Sequence, residues 1–111
     1  MQVLEARDAF WHAIGAMRAA ADESFAKSIT VPYNNALKSG LVVKATVTKV
    51  TKTGVHVEGR DEPIPFDYLV LATGAKYSVE AFRPSSNTLD DMLADINATR
   101  AKVEAVRVLG V

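Results

Sequence analysis

The sequence predicts an α/β fold: a small parallel sheet with covering helices and an antiparallel hairpin set into it. Three observations carry this. Tyr68-Leu69-Val70-Leu71-Ala72 is an unbroken apolar run that stops at Thr73-Gly74. A strand with one wet face alternates, whereas a continuous run of this length suits a parallel strand covered on both faces. The stretch from Leu41 to Glu58 is rich in β-branched residues with period two, the mark of a half-solvated hairpin. Apolar residues at helical spacing flank both regions, near the start of the chain and near its end.

Composition narrows the classes. The 111 residues fit one small domain, and the apolar fraction of 49% is ample for a core. Thirteen basic residues balance thirteen acidic ones, so bulk charge gives no case for nucleic-acid binding. Without cysteine, no disulfide, thiolate metal site or cysteine nucleophile is available. His12 and His56 are the only histidines and lie far apart in sequence, which argues against a metal site. No apolar stretch is long enough for a transmembrane segment. The start lacks a signal-peptide pattern, and the expected location is cytoplasmic.

In order, Gln2-Val3-Leu4-Glu5 suits a short strand. Asp8 is placed to cap a helix expected from about Ala9 to about Glu23, with Phe10, Ile14, Met17 and Ala21 on its apolar side and Gly15 weakening its middle. Arg18, read alone, is an ordinary solvated arginine. The region 25–38 reads as irregular, broken by Pro32 and turning at Asn34-Asn35. In the hairpin, Leu41, Val43, Ala45 and Val47 share one face and Lys44, Thr46 and Thr48 the other. Val50 breaks the alternation and suggests a bulge. Lys52-Thr53-Gly54 turns the chain into Val55-His56-Val57-Glu58, where His56 faces outward as a surface residue. Ile64-Pro65 leads into the central run. Gly74 lets the backbone turn, at the strand end where open parallel sheets bind ligands. A glycine there also serves as a turn alone. After a loop over 75–87, Thr88 to Asp91 has the form of a capping box. Leu89, Met92, Leu93, Ile96, Val103 and Val106 then form a helical stripe with a gap around Thr99-Arg100, and Arg107-Val108-Leu109-Gly110-Val111 reads as the onset of a strand.

Three ordered stretches carry a family resemblance: Val3-Leu4-Glu5 to Arg18, Phe25-Ala26-Lys27 to Val43, and Pro65 to Gly74. The Phe-Asp-Tyr-Leu-Val-Leu-Ala-Thr-Gly string, residues 66–74, is the most specific. The chain resembles an internal piece of an FAD-dependent pyridine-nucleotide oxidoreductase. Within that family it is nearest the apoptosis-inducing-factor-like proteins, including ferroptosis suppressor protein, and the type II NADH dehydrogenases. The resemblance implies a partial FAD/NAD(P)-binding Rossmann-like domain over residues 1–106, with the hairpin as an inserted β-meander. Residues 107–111 would begin an NAD(P)H-binding domain. By the same resemblance Glu5 holds the adenosine ribose hydroxyls, Arg18 lies with the flavin-cofactor contacts, Val42 meets the adenine through its backbone, and Thr73 and Gly74 form the turn beside the cofactor.

In the complete family, NAD(P)H passes hydride to FAD, and electrons go on to a quinone-like acceptor. No residue of this chain is a credible acid, base or nucleophile for that reaction, so the implied roles are binding roles only. The resemblance also allows peripheral membrane or mitochondrial association. The sequence departs from the family in four ways, one being that the downstream segment expected to contact the flavin ring is not in it. The glycine-rich loop that cradles the FAD pyrophosphate is expected before Met1 and is not in the sequence. The second such loop, expected after Leu109, is represented by Gly110 alone. Trp11-His12 replaces a pair of histidines common among relatives. Without the strand that carries the first loop, the sheet would have an exposed apolar edge, and the expectation is marginal stability or a partner chain. The alternative reading is a non-catalytic truncated paralogue or gene-model fragment acting through protein contacts; a third is an unrelated binding module that shares the strand-turn string.

Overall fold

The computed structural model describes residues 1–34, 36–78, 83, 84 and 86–108, the last two for their backbone alone. It divides into two compact units. The first is built from Met1–Ala6 and Asn35–Ala75, the second from Arg7–Asn34 and Lys76–Val111.

In the first unit, strands β1 (Gln2–Glu5) and β4 (Leu41–Lys44) pair in parallel, with Val3 opposite Val42 and Glu5 opposite Lys44. The ladder is closed at both ends: the Leu41 N–H donates to the Met1 carbonyl at 3.1 Å and the Ala45 N–H to the Glu5 carbonyl at 2.9 Å. Gly40 makes this approach possible. Its φ is +127°, and a Cβ there would lie 2.3 Å from the Met1 carbonyl oxygen. Only glycine takes that conformation and proximity without strain.

A separate antiparallel meander follows, ordered β5 (Val47–Val50), β6 (Gly54–Val57) and β7 (Ile64–Pro65). Its first turn is fixed by Thr51. The Thr51 hydroxyl donates to the Gly54 carbonyl at 2.9 Å and accepts from the Gly54 N–H at 3.1 Å. Val55 and Val57 are buried and His56 between them is half-buried, the expected alternation. The irregularity in the ladder falls between Val47 and Lys49, just ahead of the Val50 position read from sequence. The expected hairpin therefore splits. Leu41–Lys44 leaves it for β1, because a parallel partner distant in sequence satisfies its backbone.

The central expectation fails in one respect. Tyr68–Ala72 belongs to none of the three sheets, and its side chains are exposed, Tyr68 at 96% and Val70 at 84%. Burial of a parallel strand requires a neighbouring strand and a covering layer, and the described residues supply neither to this run.

The second unit starts with the antiparallel ribbon of β2 (Ala9–Trp11) and β3 (Thr30–Pro32), between which lie α1 (Ala13–Ala21), α2 (Glu23–Ala26) and a 3-10 turn, Lys27–Ile29. The single helix expected over Ala9–Glu23 is thus a strand followed by two helices. Asp8 does not cap it; His12 stands at the N-cap of α1 without a side-chain cap bond. Nor is 25–38 irregular throughout, since α2, the 3-10 turn and β3 occupy its first part. The expected apolar side is also the wrong one. Phe10, Ile14 and Met17 are exposed, whereas Gly15, Ala16, Ala19 and Ala20 are buried. These small residues let the backbone of α1 come close to its neighbours. A Cβ on Gly15 would lie 2.6 Å from Ile29 Cγ2.

The long helix α3 (Leu89–Val108) completes the core with Met92 and Ile96, packed with Trp11, Ile29 and the alanines. Its capping box is present: the Asp91 N–H donates to Thr88 Oγ1 at 3.2 Å, and that hydroxyl donates to the Asp91 carboxylate. The stripe dips out of the core after Ile96, with Val103 and Val106 exposed. Arg107 and Val108 continue the helix instead of starting a strand. Neither proline nor glycine falls between Leu89 and Val108, so the helical ladder runs through Val108. The strand expected beyond them, at 109–111, lies outside the described residues, as do Asn35 and loop residues 79–82 and 85. Among the described residues no helix is long and apolar enough to cross a membrane.

Candidate cofactor-facing residues

Glu5 and Val42 are brought together by the parallel pair. Val42 stands opposite Val3, and Glu5 stands two residues further along, at the carboxyl end of β1. Glu5 is half-buried. Its backbone carbonyl accepts from the Ala45 N–H, which ties the end of β1 to the residue after β4. An ionised carboxylate only accepts hydrogen bonds, so this position suits a ligand that presents hydroxyls. Lys44, the register partner of Glu5, was not singled out from the sequence. Its signal was available only once β4 was paired with β1, because alternation alone places it on the outer face of a hairpin.

Thr73 and Gly74 lie in the same unit, after the exposed run. Gly74 has φ +73°, the left-handed region in which a side chain is disfavoured. The turn read from sequence is therefore present, although the strand expected to lead into it is not.

Arg18 belongs to the second unit and is exposed on α1. Its guanidinium carbon lies 4.3 Å from the centre of the Phe25 ring, a cation–π contact. Asp22 follows one turn later. The Ser24 hydroxyl donates to its carboxylate at 2.6 Å and the Ser24 N–H at 3.0 Å. These bonds, with the Arg18 charge as a smaller contribution, hold the Asp22 carboxyl below the usual carboxylate range. The same bonds cap α2. Sequence reasoning missed the stacking partner, since Phe25 fell in a stretch taken as irregular.

Arg100 is half-buried in the second unit. It donates to Asn97 Oδ1 at 2.9 Å and lies 3.6 Å from the exposed Glu23 carboxylate. Its Nη1 is buried with no hydrogen-bond partner among the described residues. Among the described residues no group of three or more histidine and acidic side chains is placed to hold a metal ion.

No protein-family model matches the chain, and no solved structure matches it. Two curated proteins of Dictyostelium discoideum do. Apoptosis-inducing factor homolog B is 28% identical and apoptosis-inducing factor homolog A 30% identical, each over 112 residues and 97% of this chain. The chain spans 29% and 27% of their respective lengths. Over nearly all of its length, this chain is thus similar to a part of the apoptosis-inducing-factor-like proteins, the family its sequence resembles.

Proposed function

We propose that the first unit is the adenosine-side portion of an FAD-binding fold, belonging to an FAD-dependent NAD(P)H oxidoreductase. The observation that supports this most is the parallel β1–β4 pair, with Glu5 at the carboxyl end of β1. Ligands of open parallel sheets bind off that end, and an acceptor-only carboxylate there matches the vicinal hydroxyls of a ribose. Val42, one strand over, offers backbone groups and an apolar side chain to an adenine. The left-handed bend at Gly74 gives a bound group close access to backbone beside Thr73. When bound, flavin supplies the hydride and electron chemistry. The residues named here bind and orient, and none moves a proton in the reaction.

In the second unit, Arg18 is proposed to face a phosphate. The contact with Phe25 lies beside an exposed face of α1, and a guanidinium there can donate in its plane to phosphate oxygens. NAD(P)H as the donor and a quinone-like acceptor belong to the proposal for the complete protein.

The test is a titration of the purified chain with FAD, followed by quenching of flavin fluorescence. Binding is expected, and Glu5→Gln should weaken it about tenfold, the loss of one hydrogen bond to a charged group. A protein that is colourless as purified and leaves added FAD unquenched would overturn the proposal.

A further inference from the structure

Strands β1 and β4 each carry one charged residue, Glu5 and Lys44. The two are register partners at the carboxyl ends of a parallel pair. Register partners share a face of a sheet, as do residues two apart on one strand. Val3, Val42, Glu5 and Lys44 therefore occupy one face, valine opposite valine and charge opposite charge. The register is pinned on either side of them, by the Leu41 N–H on the Met1 carbonyl and by the Ala45 N–H on the Glu5 carbonyl. A slip of one residue would carry Lys44 to the other face. Lys44 is exposed and Glu5 half-buried, so the lysine meets solvent where a ligand off the strand ends would lie.

We infer that Lys44 sets the charge preference of this site, making it favour phosphorylated adenosine over the bare nucleoside. This rests on the reading of the first unit as an adenosine-binding fold, which gives Lys44 no role.

A carboxylate suits ribose hydroxyls. At the same place it repels the phosphates carried by that ribose. Adenosine meets the first effect alone, whereas ADP meets both. A cation one strand away, at a spacing of about 4.8 Å, offsets the carboxylate and attracts the phosphate chain. The lysine ammonium does this as a point charge with three donors on a flexible stem. A purely structural role is the competing explanation, since opposite charges across a strand pair steady a sheet slightly. That role would not distinguish one ligand from the other.

Titrations of the chain with ADP and with adenosine, followed by the amide resonances of Glu5 and Val42, separate the two explanations. Wild type should bind ADP more tightly than adenosine. Lys44→Met should weaken ADP about tenfold, the loss of one interaction with a charged group, and leave adenosine near its wild-type affinity. Lys44→Arg keeps the charge and should keep most of the ADP affinity. Added salt should weaken ADP binding to wild type more than to the Lys44→Met chain. Lys49→Met removes another exposed lysine, from β5, and should alter neither affinity. Equal loss of both ligands from Lys44→Met, or loss of neither, overturns the inference and leaves the adenosine reading in place. So does a Lys49→Met chain that loses as much ADP affinity as Lys44→Met, because bulk charge then explains the effect. A wild-type chain that binds neither ligand overturns both.

Discussion

The two units contain the same kinds of apolar residue and treat them in opposite ways. In the second unit, modest residues are buried. Ala16, Ala19, Ala20 and Gly15 line α1, and Met92 and Ile96 meet the same core from α3. In the first, the most hydrophobic run of the chain lies open, from Tyr68 to Leu71. Hydrophobicity creates a demand for burial, but geometry decides whether it is met. The alanine face succeeds because α3 is present and small side chains permit a close approach between helices. The 68–72 run stays open because the described residues provide no strand beside it.

This contrast can be broken most sharply by paired truncations. Met92→Ala, in the core of the second unit, should cost about 2–5 kcal/mol. Leu71→Ala, in the exposed run, should stay within about 0.5 kcal/mol when both proteins are dilute. Urea unfolding followed by fluorescence of Trp11, which is itself in that core, measures the first directly. It should show no displacement for the second. A large loss from Leu71→Ala would mean that the run is covered after all.

A smaller effect sharpens the packing half of the comparison. Propensity alone says that Gly15→Ala stabilises α1. The structure says the reverse, because the new methyl would meet Ile29 at 2.6 Å and His12 Nδ1 at 2.9 Å. Overpacking of this kind costs about 1–3 kcal/mol. A raised urea midpoint would show that Ile29 can yield.

The smallest expected effect is electrostatic. Because the Asp22 carboxyl titrates lower in the folded chain than in the unfolded one, its stabilising contribution is complete above the ordinary carboxylate value. It is lost as pH falls through the lowered folded value. Asp22→Asn should therefore narrow the difference between thermal midpoints at neutral and acidic pH. An unchanged pH profile would show that the Ser24 bonds do not persist in solution.

How much of this was legible in the sequence follows from the range of the interactions. The capping box at Thr88 and Asp91, the turn at Gly54, the alternation of Val55 and Val57, and the bend at Gly74 are local, and each was readable from a few neighbouring residues. The face of α1 was not. Phe10 is carried by a strand, and Ile14 and Met17 give way to smaller residues whose advantage is closeness, a quality that a hydrophobic pattern does not weigh. The pairing of Leu41–Lys44 with Gln2–Glu5 was hidden for another reason. It joins residues about forty positions apart, while the same residues also fit a hairpin with their immediate successors. Of the candidate site, Glu5 and Val42 were named from a family resemblance, and their juxtaposition across one strand pair emerged only from the fold. Arg18 was named without its aromatic partner.

The central claim is that the first unit receives the adenosine end of a dinucleotide. Amide spectra of the isotope-labelled chain, recorded with ADP and separately with FMN, test it most directly. ADP should shift the resonances of Glu5, Val42, Thr73 and Gly74, and FMN should leave them in place. Shifts at these four residues with FMN and none with ADP, or no shifts with either, would contradict the account.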